Sequence, residues 1–221
     1  VCLLVGLSVQ ARAVSPTADE MASAKRFATE RLSSTQAPNL PYSFVYGGRA
    51  SSELLPSWTR QEQNEILDSS RTQRTVVYTD PQTGLEVRCI AVEYQDFPVV
   101  EWTLYFRNTA GADSPLLENV QALDVTWQRE GEQEYLLHQA AGSQANRSDY
   151  GPRETPLPPG ATARFAGAGG RPTNVDWSYF NLQSGDRGAI VVVGWPGQWA
   201  AQFARDADRG LRIRAGQEEV R

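Results

Sequence analysis

The stretch Val99-Val-Glu-Trp-Thr-Leu-Tyr-Phe-Arg-Asn108 alternates apolar and polar side chains along most of its length. Successive side chains of a β-strand point to opposite faces, so this pattern predicts an antiparallel strand with one buried face. The residues expected to face the core are Val100, Trp102, Leu104 and Phe106. Few windows after residue 42 show a helical period, and the chain is therefore expected to be almost entirely β-stranded.

The residues before this strand predict a β-hairpin. Two strand-like runs, residues 73–79 and 85–94, flank Asp80-Pro-Gln-Thr-Gly84, whose residue types favour a turn. More strands are expected within residues 116–129, 135–138, 161–166, 177–183, 189–195 and 211–214, and residues 140–159 are expected to form an exposed loop. About ten strands at this spacing predict two packed antiparallel sheets.

The N-terminus has the composition of a secretion signal. Residues 1–9 are an apolar run, and Ala11-Arg12-Ala13 has the small-x-small pattern of a signal-peptidase site. The run is far shorter than a transmembrane helix, and no starting Met precedes it, so residues 1–13 are expected to be a signal peptide remnant. Cleavage after Ala13 predicts a secreted or periplasmic protein with no membrane attachment. A buried N-terminal strand is the alternative.

Residues 14–41 are expected to be a helical lead-in and linker. Residues 17–33 have the spacing of an amphipathic helix, which Thr17 or Ser15 can cap, with acidic residues in the first turn. Residues 34–41 have the composition of a linker. The main domain is therefore expected over residues 42–221.

Composition excludes several classes of function. A net charge of −5 and a pI near 5.0 give no positive field for nucleic acid. His138 is the only histidine, and Cys89 is the only cysteine after residue 13, so neither a metal site nor an intrachain disulfide is expected. No Gly-x-Ser-x-Gly elbow and no singled-out carboxylate pair is present. No cofactor, metal or catalytic residue is therefore predicted.

The unusual feature of the sequence is a pair of segments that are rich in aromatic residues. Arg171-Pro-Thr-Asn-Val-Asp-Trp-Ser-Tyr-Phe-Asn-Leu182 and Gly194-Trp-Pro-Gly-Gln-Trp199 combine aromatic rings with Arg, Asn and Asp. Aromatic faces stack on the C–H faces of sugars while the polar groups bind hydroxyls, so these segments suit carbohydrate contact. Burial in a β-sheet core is the alternative, and it is the one favoured for Trp102 and Trp127. For Trp177 both interpretations stay open.

Six segments in order resemble the N-terminal β-supersandwich domain of melibiase-like α-galactosidases of the glycoside hydrolase family 36 type. They span about residues 42–217: Tyr42-Ser-Phe-Val-Tyr-Gly-Gly-Arg49, Asp80-Pro-Gln-Thr-Gly-Leu-Glu-Val-Arg88, Glu93-Tyr-Gln-Asp-Phe-Pro-Val-Val-Glu-Trp102, Gly169-Gly-Arg-Pro-Thr-Asn174, Tyr179-Phe-Asn-Leu182 and Gly194-Trp-Pro-Gly-Gln-Trp199. The resemblance implies an all-β, two-sheet antiparallel supersandwich of the galactose-mutarotase-like type, with a short N-terminal helix.

The resemblance also implies a function. In that family a (β/α)8 barrel C-terminal to the sandwich carries the catalytic aspartates of a retaining hydrolase, and that barrel is absent from these residues. The implied partners are an α-galactoside substrate, the barrel of the same polypeptide and, in a homo-oligomer, further copies of the chain. A sandwich loop can approach the barrel's sugar pocket in that family. The candidate substrate contacts by that analogy are Arg171, Asn174, Asp176, Trp177 and Tyr179.

Three other functions remain open at this stage. The first is a free-standing carbohydrate-binding β-sandwich module, which the downstream reading frame would distinguish. The second is an aldose epimerase on the related fold, which is disfavoured because that chemistry usually employs several histidines. The third is a structural role without sugar contact, which predicts that the segment around Trp177 is buried or disordered.

Overall fold

The structure is a computed structural model that describes residues 14–194 and 197–217. The predicted signal peptide remnant and Trp195 lie outside the described residues. In the described part of the chain, no helix has the length and apolar character needed to cross a membrane.

The predicted N-terminal helix is confirmed. Helix α1 covers Ala18–Phe27 and continues as a π-helical turn over Ala28–Leu32. A capping box starts it, since Thr17 Oγ1 accepts from the Glu20 amide and the Glu20 carboxylate accepts from the Thr17 amide. Its C-terminal turn buries Ala28 and Leu32, so the helix is attached to the core through its last residues.

The described residues otherwise form β-strands with short helical turns between them. A four-residue helix, α2 at Ser51–Leu54, and 3-10 turns at Ala37–Asn39 and Leu55–Ser57 are the remaining helical elements. The strands are β1 Ser43–Tyr46, β2 Arg49–Ala50, β3 Thr59–Ile66, β4 Arg71–Thr79, β5 Leu85–Tyr94, β6 Val100–Asn108, β7 Leu117–Gln128, β8 Tyr135–Ala141, β9 Pro152–Leu157, β10 Thr162–Ala166, β11 Asp176–Ser184, β12 Arg187–Val192, β13 Ala200–Arg205 and β14 Gly210–Gln217.

All strand pairs are antiparallel, and hydrogen bonding divides the strands into three sheets. The six-stranded sheet has the order β10-β13-β14-β7-β1-β2. The N-terminal sheet has the order β3-β4-β5-β6, and the C-terminal sheet has the order β12-β11-β8-β9. The all-β fold with antiparallel sheets and one short N-terminal helix is thus confirmed, with the strands arranged in three sheets.

The six-stranded sheet shares one apolar cluster with each of the two smaller sheets. The first cluster joins β1 to β4 and β5 and includes Phe44, Val87 and Cys89. The second joins β7, β13 and β14 to the C-terminal sheet, with Phe180 and Phe203 fully buried. Trp102 packs against both clusters and donates its indole N–H to the Ala122 carbonyl at 2.6 Å. The core position expected for Trp102 is confirmed in this partly buried form.

Two strands lie where the alternation pattern is weak. Strand β9 falls inside residues 140–159, for which a loop is predicted, and that prediction is wrong for Pro152–Leu157. The prolines in this segment argued against a strand, because proline has no amide to donate. A strand at the edge of a sheet nevertheless tolerates proline, because one row of its amides needs no partner. Strand β3 is polar from Thr59 to Glu65 and largely exposed, so it has no alternation to detect. Its backbone pairing with β4 holds it in place.

Candidate functional site

Two loops meet at one end of the C-terminal sheet. Ala141 at the end of β8 pairs with Asp176 at the start of β11, and the loops of residues 142–151 and 167–175 adjoin that pair. The Gly142 amide donates to the Val175 carbonyl at 2.8 Å, and the Ser143 amide donates to the Thr173 carbonyl at 2.7 Å. These backbone hydrogen bonds fix the two loops to each other.

The loop of residues 142–151, called here the Tyr150 loop, is organised around one carboxylate. Asp149 accepts from the Ser143 hydroxyl at 2.7 Å and from the Gln144 amide at 2.9 Å. The Ser143 hydrogen bond, together with the backbone amides of the loop, lowers the pKa of Asp149 below its ordinary value. Tyr150 has a left-handed backbone with φ 57° and donates its amide to the Gly142 carbonyl. The loop is therefore held in one conformation.

The loop of residues 167–175, called here the Arg171 loop, is anchored by Trp199. The Trp199 indole N–H donates to the Pro172 carbonyl at 2.7 Å, and the Gly167 amide donates to the Trp199 carbonyl at 3.0 Å. Trp199 is only 1% exposed and packs in the second core cluster. Of the two interpretations of this segment, core burial is therefore the one that holds for Trp199, because the ring lies beneath the loop.

Two of the predicted contact residues lie together in the Arg171 loop. The exposed Arg171 guanidinium donates to Asn174 Oδ1 at 2.7 Å. Gly169 and Gly170 turn the chain just before Arg171 with positive φ angles of 63° and 72°, which glycine adopts freely. A Cβ at Gly169 would lie 2.7 Å from the side-chain nitrogen Nδ2 of Asn174. The glycine thus leaves room for the Asn174 side chain.

Asp176, the third predicted contact, already has partners in the sheet. Its carboxylate accepts from the Ala166 amide at 3.1 Å and lies 3.3 Å from an Arg153 guanidinium nitrogen. Its side chain is 13% exposed, whereas that of Arg153 is 49% exposed. Asp176 therefore ties β9, β10 and β11 together at the base of the two loops.

The two predicted aromatic contacts lie in an irregular part of β11. Asp176 pairs with Ala141 and Phe180 with Gln139, so three residues of β11 stand opposite one residue of β8. Bulges of this kind re-aim side chains. Trp177 is half-buried and meets the ring of Tyr150, with centroids 4.7 Å apart and planes at 89°. Tyr179 is 50% exposed and lies opposite Val192 of β12.

Three described residues with acid–base or nucleophilic side chains are engaged in structural contacts or buried: Asp149 in the Tyr150 loop, His138 in the C-terminal sheet and Cys89 in the N-terminal sheet. A carboxylate with a lowered pKa, such as Asp149, is a poor general acid. His138 lies in the middle of β8, where its ring contacts Gln183 at 2.8 Å and Glu154 at 3.3 Å. Burial raises the pKa of the Cys89 thiol to about 12, which removes its nucleophilic form at neutral pH.

No group of three or more histidine, cysteine or acidic residues within residues 14–194 and 197–217 could hold a metal ion. Tyr150, Ser143 and Asp149 were not predicted from the sequence, and all three lie in the stretch expected to be an exposed loop. A signal was available for one of them, since Tyr150 is the only aromatic residue between residues 140 and 159. Its contact with Trp177 spans 27 positions and has no local pattern.

Comparisons with known proteins identify the fold. No protein-family model matches the chain, and no curated protein matches it. The galactosidase domain of an α-galactosidase-sucrose kinase, AgaSK, matches 82% of this chain with a TM-score of 0.60 at 16% identity. A variant of the family 36 α-galactosidase AgaA from Geobacillus stearothermophilus, in complex with 1-deoxygalactonojirimycin, matches 80% with a TM-score of 0.58 at 15% identity. The α-galactosidase from Lactobacillus brevis matches 80% with a TM-score of 0.56 at 16% identity.

The match covers only part of these proteins, since the chain spans 27%, 26% and 25% of their respective lengths. At such identities the likeness shows the fold. The chain is therefore similar in structure to one domain, about a quarter of the length, of the glycoside hydrolase family 36 α-galactosidases, and the resemblance predicted from its six segments is confirmed at the level of the fold.

Proposed function

We propose that this chain is the non-catalytic N-terminal domain of a secreted α-galactosidase-like glycoside hydrolase, where it packs against a C-terminal (β/α)8 barrel and completes the barrel's sugar pocket. The observation that carries the proposal is the fold match to about a quarter of each α-galactosidase chain. A domain of that size leaves the rest of the enzyme to supply the catalytic groups.

The two loops at the end of the C-terminal sheet are the part of the domain best suited to meet a sugar. They are joined by backbone hydrogen bonds, and they present an exposed guanidinium and two aromatic rings. Fixed loops lose little conformational entropy on binding, which favours their use in a pocket wall. The proposed substrate contacts are Arg171, Asn174, Asp176, Trp177 and Tyr179.

The first test is the reading frame around this sequence. The source DNA is sequenced beyond the codon for Arg221, and the complete product is assayed on an aryl α-galactoside. The proposal expects a barrel in the same polypeptide, release of galactose, and loss of that activity when residues 42–217 are deleted. A frame that encodes no hydrolase domain would refute it.

A second test asks whether the loops contribute to the pocket. In the complete enzyme, Trp177→Ala should raise KM with a smaller change in kcat, because it removes a stacking contact used by substrate and transition state alike. Tyr105→Ala is the matched control, since Tyr105 is a 46% exposed aromatic residue on the N-terminal sheet. Unchanged kinetics of the Trp177 variant would remove this loop from the pocket.

Secretion is a separate part of the proposal. If residues 1–13 belong to a signal peptide, the protein recovered from the periplasm or medium begins at Val14. N-terminal sequencing of the product expressed with its complete leader checks this cleavage. Size-exclusion chromatography of the same material tests whether the enzyme is a homo-oligomer.

A free-standing carbohydrate-binding module is the second candidate. The partly exposed Tyr150 and Trp177 rings favour it, because aromatic pairs at a surface bind sugars without any barrel. A frame that ends near Arg221, together with sugar binding by the isolated chain, would make this the leading function.

A further inference from the structure

Tyr150 and Trp177 form a right-angled pair of aromatic rings at the rim of the two loops. Their centroids are 4.7 Å apart and their planes meet at 89°. Tyr150 remains 52% exposed despite this contact, and Trp177 is half-buried. In such an edge-to-face pair, one ring turns its edge toward the other. Neither face of that ring contacts the other ring. The pair therefore forms a right-angled corner whose Tyr150 side is exposed.

The backbone at Tyr150 is unfavourable for a bulky residue. Its φ of 57° lies in the left-handed region, where glycine and asparagine are the favoured residues. Backbone strain of this kind clusters at binding sites, where the surrounding structure enforces it. Here the Tyr150 amide is held by the Gly142 carbonyl, and the neighbouring Gly151 amide is held by the Ser148 carbonyl. The ring is therefore placed by a fixed main chain.

Trp177 is placed by a different device. It lies in the bulge of β11 where three residues stand opposite one residue of β8. The hydrogen bond from the Ser143 amide to the Thr173 carbonyl holds the Tyr150 loop against the Arg171 loop, which carries the exposed guanidinium of Arg171. The left-handed backbone thus places the Tyr150 ring, and the bulge of β11 places the Trp177 ring. The two rings meet beside the Arg171 loop, which carries a hydrogen-bond donor.

We infer that Tyr150 is a specificity-determining sugar contact, and that with Trp177 it forms a corner that takes the C–H face of a hexopyranoside ring. Aromatic faces stack on that apolar sugar face, and a second ring at a right angle limits which edge of the sugar fits. The inference rests on the proposed function, whose five contact residues do not include Tyr150. The core pair of Phe180 and Trp199, by contrast, is almost completely buried.

The test uses the 221-residue chain labelled with 5-fluorotryptophan, in which each of the six tryptophans carries one fluorine NMR probe. Trp177→Phe assigns the Trp177 signal. Titration with methyl α-D-galactopyranoside should shift that signal in a saturable way, and sorbitol, an acyclic polyol of similar polarity, should not. Tyr150→Phe keeps the ring and should keep the response. Tyr150→Asn removes the ring at a backbone position that asparagine tolerates and should weaken the apparent affinity about tenfold, the upper range for one aromatic contact.

Thermal melting separates this role from a structural one. Tyr150→Asn should melt close to the wild-type temperature, because relief of the left-handed backbone offsets the lost ring contact with Trp177. Tyr150→Gly is the second variant should the first fail to fold. The inference for Tyr150 would be overturned if the folded variant without the ring, Tyr150→Asn or Tyr150→Gly, showed the same sugar-induced shift of the Trp177 signal as wild type. No response of the wild-type chain up to about 100 mM sugar, or an equal response to sorbitol, would overturn the sugar corner itself. The α-galactosidase assay of the complete product decides the proposed function independently of either result.

Discussion

Gly142→Ala should detach the Tyr150 loop from the Arg171 loop. A Cβ at Gly142 would lie 2.2 Å from the Thr173 carbonyl oxygen and 2.9 Å from the Asn174 carbonyl carbon. Both obstacles are backbone atoms, which cannot rotate away as a side chain can. The two segments would therefore have to separate by about 1 Å to restore normal contact.

That separation sets the expected magnitude. It would stretch the hydrogen bonds from Gly142 to Val175 and from Ser143 to Thr173, now 2.8 and 2.7 Å long, beyond hydrogen-bonding distance. Each backbone hydrogen bond contributes about 0.5–1.5 kcal/mol, so the free energy of unfolding should fall by about 1–3 kcal/mol. For a chain of this size the melting temperature should fall by about 2–12 °C.

Differential scanning calorimetry of the purified variant measures this change. Gly131→Ala is the matched control, because a Cβ there meets nothing within 4 Å. Both variants lose the same backbone freedom in the unfolded chain, so their difference reports the clash alone. Equal melting temperatures for the two variants would show that the loops are not joined as described. The Trp177 fluorine signal should also move in Gly142→Ala and stay in place in the control.

Three further predictions follow from buried polar contacts and the core. Burial alone would raise the pKa of Asp124, but the bidentate hydrogen bonds from Arg212 at 2.9 Å, with a further bond from a serine hydroxyl, outweigh it and lower that pKa. Stability from Asp124 is therefore present above its unfolded pKa and lost as the pH falls through the lower folded pKa. Urea unfolding should place Asp124→Asn about 1–2 kcal/mol below wild type at pH 7, with a gap that narrows below about pH 4; a constant gap would contradict this. Trp199→Phe should lower stability by about 1–3 kcal/mol, because it leaves the Pro172 carbonyl without its indole donor, and a stability equal to wild type in the same urea experiment would contradict the anchor. In a chain that begins at Val14 and so lacks Cys2, Cys89 should react with a thiol reagent such as DTNB only after unfolding in urea, since the thiol is buried and its pKa is raised to about 12; rapid labelling of that native protein would contradict its burial.

Strands whose burial alternates were predictable from sequence, because one buried face imposes a period of two on the residue types. Strand β6 is the clearest example, with every second residue from Val100 to Phe106 partly buried and those between them exposed. The N-terminal helix was predictable for a similar local reason, since the Thr17 and Glu20 capping box lies within one turn. These signals act over a few residues and need no knowledge of the rest of the chain.

The sequence by itself determined the fold class, the helix and the six segments of the family resemblance, because short-range periodicity and turn chemistry are written in neighbouring residues. Only the tertiary structure decided which tryptophans are buried. Trp177 and Trp199 lie in similar glycine-rich or polar surroundings in the sequence, yet Trp199 supports the Arg171 loop from within the core and Trp177 meets Tyr150 at the rim. That difference depends on contacts between residues more than twenty positions apart, and a local pattern cannot contain them.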